Sequence, residues 1–132
     1  MKSKLINFCA VLLFLTLMTA CGSKQSPAAR IVEEYFQAII EKNEILLESK
    51  VCPSYQMDAL LDFNSFAMVE TSMENFSCQT EGEYNDLVQV KCEGSIQARF
   101  GDEIRSFDLS KRIYQVIEDS GSWLICGHAD VE

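Results

Sequence analysis

Between Val32 and Ile40 the large apolar residues fall at Val32, Tyr35, Phe36, Ile39 and Ile40. This is the i, i+3, i+4, i+7, i+8 spacing of one buried helix face. Ser26 and Pro27 suit the N-cap and the first helical position in front of it. Glu33 and Glu34 lie near the positive end of the helix dipole and Lys42 near its negative end, with Asn43 as a stop. Glu44–Val51 is predicted as a second short helix, halted near Cys52 because Pro53 disfavours helical backbone in the residue before it. Ser54–Phe63 is predicted to add one or two helical turns, with Tyr55, Leu60, Leu61 and Phe63 as its apolar residues.

From about Phe66 onward the period shortens to two. Val88, Val90, Cys92, Ile96, Ala98 and Phe100 share one parity, while Gln89, Lys91, Glu93, Gln97 and Arg99 share the other. That is a half-buried strand, with Gly94 as a bulge or bend. Gly101-Asp102 and Ser120-Gly121 signal hairpin turns before Glu103–Ile117 and Ser122–Gly127. Phe107, Leu109, Ile113 and Tyr114 do not keep one parity, which predicts a bulge near Lys111. The expected order is two or three helices followed by four antiparallel strands, in one domain without internal repeats.

The first 20 residues differ in kind. Lys2 and Lys4 precede an apolar run, Leu5–Leu17, which ends in the small residues Thr19 and Ala20. This is the layout of a secretory signal, and at Leu5–Ala20 it is shorter than the roughly 20 apolar residues a membrane span needs. Leu17-Met18-Thr19-Ala20-Cys21 resembles a bacterial lipoprotein lipobox, with Met18 standing where leucine is usual. The resemblance implies cleavage before Cys21, a diacylglyceryl group on its thiol and often an acyl chain on the new amine. Two or three fatty chains on one residue hold a protein far more firmly than one. The expected organisation is a signal peptide over 1–20, a lipidated tether over 21–26, the folded domain over 27–128 and a tail over 129–132.

Six cysteines are present; Cys9 leaves with the signal and Cys21 is taken by lipid. Cys52, Cys78, Cys92 and Cys126 remain, an even number that reads as two disulfides with three possible connectivities. The polar stretch Glu81–Asp86 is turn-prone, and Cys78 and Cys92 each lie seven residues from Asn85. A hairpin folded there sets them opposite each other, leaving Cys52 for Cys126. No Cys-x-x-Cys occurs and the chain has one histidine, so neither a metal site nor a redox dithiol is expected.

Without residues 1–20 the formal charge moves from −9 to −11 over 112 residues. That excludes an electrostatic nucleic-acid binder, disfavours anionic lipid headgroups and favours a basic partner. An amphipathic first helix, a helical connector and a long bent antiparallel meander ending in Gly121-Ser122-Trp123-Leu124-Ile125-Cys126 resemble the NTF2-like superfamily of cone-shaped α+β domains. A cystatin-like helix-on-sheet fold is the rival. The resemblance implies a curved sheet around the first helix, with an apolar pocket between them lined by Tyr35, Phe36, Phe107 and Trp123. It decides nothing about activity, because its members range from isomerases to inert modules.

Catalytic signatures are sparse. His128 is five residues from the end and is expected in a solvated tail, and no nucleophile elbow, phosphate-binding glycine loop or cofactor fingerprint occurs. Asp108 shares a parity with Ser106, Ser110 and Arg112; it is expected to face water or pair with Arg112, with a pocket carboxylate as the alternative. Glu81, Glu83 and Asp86 lack the ordered spacing of a calcium loop. The chain therefore reads as a lipid-anchored domain at the bacterial cell membrane or outer membrane, facing periplasm or exterior. It is expected to act there as a non-enzymatic binding or interaction module for an envelope protein. Two other readings stay open: a carrier of a small apolar ligand, and an acid–base isomerase or hydratase built around Asp108 and Tyr35. A side-chain-filled cone favours the module, and an open apolar cavity of about 300 Å³ or more favours the carrier. A buried carboxylate beside a tyrosine hydroxyl in that cavity favours the enzyme.

Overall fold

The computed structural model describes residues 24–132; the signal segment and Cys21 lie outside the described residues. Helix α1 (Pro27–Glu41) starts as its sequence requires, with Ser26 Oγ accepting from the Ala29 N–H at 3.1 Å and Pro27 at its first position. Lys42 ends it in the left-handed conformation at φ 59°. Asn43 instead caps the next helix, α2 (Glu44–Glu48), where its side chain accepts from the Leu46 N–H at 3.0 Å. A 3₁₀ turn at Pro53–Tyr55 runs into α3 (Gln56–Phe66).

Five strands follow: β1 (Glu70–Tyr84), β2 (Leu87–Phe100), β3 (Glu103–Asp108), β4 (Arg112–Asp119) and β5 (Ser122–Asp130). All ladders between them are antiparallel, with β1 along one edge of β2. Strands β3 and β4 share the other edge, opposite residues 95–100 and 88–91. The expected single strand Glu103–Ile117 is thus two. The parity break is a 3₁₀ turn at Leu109–Lys111, capped by Asp108, that drops Leu109 into the core. Strand β5 reaches Asp130, beyond the expected close of the domain at 128, because Arg112 pairs with Asp130 in the β4–β5 ladder.

Two irregularities bend the β1–β2 hairpin. Its turn is Asn85-Asp86, both at positive φ, as a two-residue hairpin loop of the inverted type demands. That turn pairs Tyr84 with Leu87, a register that by itself sets Cys78 opposite Glu93. One extra residue at Glu81 shifts the ladder, so Cys78 faces Cys92 with Cα atoms 4.0 Å apart, and the two are bridged. Farther along, Asn75 and Gly94 sit at φ 50° and 94° where the register slips again. A Cβ on Gly94 would lie 2.6 Å from the Asn75 carbonyl oxygen, so only glycine fits the bend.

Helix α1 lies across the curved sheet and touches β1, β2, β4 and β5. Val32, Tyr35, Phe36 and Ile39 are buried there together with Val90, Ile96, Tyr114, Val116 and Ile125. Full burial of such side chains contributes about 1.5–3 kcal/mol each. The second disulfide, Cys52–Cys126, ties the segment before α3 to β5 across 74 residues.

Candidate functional site

The gap between β3 and β4, the underside of α1 and the inner face of α3 enclose a cavity of about 350 Å³ that opens to solvent. Its apolar wall is built from Phe36 and Ile39 of α1, Phe66 of α3, Ile96 of β2, Phe107 of β3 and Leu109. These six residues come from five separate elements, so the wall exists only in the folded chain. Phe66 and Phe107 meet edge to face at 5.1 Å, in a geometry that aromatic pairs favour.

The polar end of the cavity centres on Asp62. Its Oδ2 accepts from Tyr35 Oη at 2.9 Å and from Arg112 Nη1 at 2.8 Å, and its Oδ1 accepts from the same Arg112 nitrogen at 3.0 Å. Three elements, α1, α3 and β4, are joined through this one carboxylate. Burial opposes the charge on Arg112, but Asp62 outweighs it and holds the guanidinium above the ordinary arginine value. Burial, reinforced by Asp62, pushes the Tyr35 phenol far above its usual range, and burial does the same to Tyr55 and Tyr114. These hydroxyls therefore stay protonated, and Tyr35 serves Asp62 as a donor.

Behind this end, Tyr55 Oη and His128 Nδ1 are 2.7 Å apart, and the His128 ring packs against Tyr55 and Tyr114. His128 is therefore a half-buried residue of β5 and not part of a solvated tail, because the strand continues to Asp130 and turns its side chain towards Tyr55. Asp130 stands 3.7 Å from Arg112 Nε and 3.9 Å from His128 Nε2, extending the polar chain to the rim.

Of the residues expected at a pocket, Phe36, Phe107 and Asp108 line the cavity. Tyr35 lies one hydrogen bond behind its wall, on Asp62. Trp123 does not line it: the residue pairs with Glu118 on the far strands and packs against the core there. Asp108 is exposed on the rim, where its Oδ1 accepts from the Ser110 N–H and hydroxyl at 2.8 and 2.7 Å. Those two donors hold its carboxyl below the usual range. The partner of Arg112 is Asp62, which the sequence reading did not single out. Apolar and polar residues are poorly segregated along α3, so nothing in its pattern showed which face turned inward. No group of three or more metal-ligating side chains occurs among the described residues.

No protein-family model matches the chain, and no curated protein matches it. A solved structure does: a candidate ketosteroid isomerase from Shewanella frigidimarina NCIMB 400, determined at 1.80 Å. It superposes with a TM-score of 0.51 at 13% identity, covering 76% of this chain and 90% of that one. At that identity the likeness is one of fold, and it agrees with the helix-on-curved-sheet architecture described above.

Proposed function

We propose that the domain binds a small amphipathic molecule in the cavity between α1, α3 and the sheet, without transforming it. The observation that carries this reading is an open cavity of about 350 Å³ with a six-residue apolar wall and one polar end. Sites of this size and make-up are typical of small-molecule binding. We further propose that Cys21 anchors the domain to a bacterial membrane by lipid and that the domain is exported; the two disulfides support an oxidising compartment.

A second reading, an acid–base isomerase, is favoured by the Tyr35–Asp62 pair at the cavity's polar end and is compatible with the ketosteroid isomerase likeness. It ranks below binding because the bonds from Asp62 to Arg112 and Tyr35 already account for its place in the fold without a substrate. Titration with the neutral fluorophore N-phenyl-1-naphthylamine tests the binding reading. We expect saturable one-to-one binding that weakens at least tenfold in Leu109→Trp, which fills the cavity. Unchanged binding in that variant overturns the reading. Turnover of a ketosteroid, lost in Asp62→Asn, establishes the isomerase instead.

A further inference from the structure

The sheet has three edges; one is covered and another is interrupted. Along β5, Val51 forms a parallel bridge with Ile125: Cys52 N donates to the Ile125 carbonyl at 2.8 Å, and Ile125 N donates to that of Lys50 at 2.9 Å. The neighbouring Cys52–Cys126 disulfide fastens that cover. Along β1, the outward Cys78 N–H is taken by Glu33 Oε1 at 2.9 Å, Ser26 meets Thr80 at 2.6 Å, and the two register slips interrupt the ladder. These are ordinary ways of blunting a strand edge.

Strand β3 has none of them. It pairs with β2 on one side only, and all six of its residues are exposed. It holds no proline, lysine or register slip, and it presents Ile104 at 55% and Phe107 at 38% exposure. The two-residue turn Gly101-Asp102 makes Phe100 and Glu103 a hydrogen-bonded pair. By the alternation of an antiparallel ladder, the N–H and C=O of Ile104 and Ser106 then point away from β2. No backbone partner meets them among the described residues.

We propose that this outer edge of β3 is a strand-addition site for an extended, basic segment of another protein. Main-chain pairing with the open ladder supplies the affinity, and alternate side chains supply the selectivity. Charge decides the kind of partner. The chain carries −9, and Asp102, Glu103 and Asp108 flank the edge, with Arg105 already paired to Glu103 at 3.0 Å. A second copy brings the same negative field and is repelled, whereas a segment alternating lysine with β-branched residues is attracted. Ile104 and Phe107 lie on opposite faces of β3, so the apolar row of such a segment packs beside one of them.

The test uses the protein in the form the cell exports, labelled with ¹⁵N, and two synthetic nine-residue peptides, one alternating lysine and valine, the other glutamate and valine. The lysine peptide is expected to slow hydrogen exchange of the Ile104 and Ser106 amides at least tenfold, and the glutamate peptide to leave it unchanged. Ser106→Pro removes an outward N–H that β2 does not use, so it is expected to abolish the effect while Arg105 and Phe107 stay protected. Equal protection by both peptides, or by neither, overturns the proposal. Protection that grows with protein concentration alone also overturns it, in favour of a second copy.

Discussion

The two walls of the cavity are held by different means. The sheet wall is held by backbone hydrogen-bonded ladders, with one disulfide inside the β1–β2 hairpin and another fastening β5. The α3 wall forms no ladder. It is held by the Cys52–Cys126 bridge just before it, by Asp62 reaching Tyr35 and Arg112, by Phe66 against Phe107, and by Lys42 Nζ donating to the Phe66 carbonyl at 2.5 Å. Backbone pairing makes a rigid surface, whereas a few side-chain ties make a wall that can yield locally. On the binding proposal, α3 is the wall expected to yield to a ligand, and the polar end of the cavity doubles as the tie that keeps that helix in place.

Breaking the ties in turn sharpens this contrast. Replacing Cys52 and Cys126 by alanine opens a 74-residue loop and is expected to cost about 4 kcal/mol in denaturant unfolding. The same change at Cys78 and Cys92 opens a 14-residue loop and costs about 3 kcal/mol. The first pair alone is expected to weaken fluorophore binding, because only it anchors the α3 side; equal weakening by both removes the distinction between the walls. Asp62→Ala strands the buried Tyr35 hydroxyl and leaves Arg112 unpaired from Asp62, with an expected loss of roughly 1–3 kcal/mol. Asp62→Asn, which still accepts a hydrogen bond, is expected to lose less.

The tyrosines give the pH dependence. Burial raises Tyr35, Tyr55 and Tyr114 in the folded state, so above the ordinary tyrosine value near 10 the unfolded chain releases protons that the folded one retains. Their contribution is complete below pH 10 and falls as the pH rises beyond it. Absorbance at the phenolate band is therefore expected to report these three residues only as the protein unfolds; their ionisation in a still-folded protein contradicts the packing. The smallest effect is expected from Phe66→Leu, which keeps most of the apolar contact and removes the edge-to-face geometry, about 1 kcal/mol in the same denaturant assay.

Much of this architecture was legible in the residues. Ser26, Pro27 and the Val32–Ile39 spacing specify α1 because cap, dipole and buried face agree. The parity of Val88–Ala98 specifies the inner face of β2, and Gly94 its bend. The Cys78–Cys92 pairing was reached from a turn centred on Asn85, although the turn is Asn85-Asp86 and the extra residue at Glu81 restores the register. Three features were not legible. The break at Leu109 depends on Asp108 capping a turn, which resembles a bulge in parity alone. The burial of His128 depends on Tyr55, 73 residues away. Asp62 depends on tertiary contacts with Tyr35 and Arg112, and local pattern carries no trace of partners so distant.

The cavity itself is tested most directly by methyl NMR during titration with N-phenyl-1-naphthylamine. The account predicts saturating shifts at Ile39, Ile96 and Leu109, which line the wall. It predicts none at Ile45, Met57, Leu61 and Met68, which are exposed elsewhere. Shifts confined to those exposed residues, with the wall methyls unmoved, would contradict it.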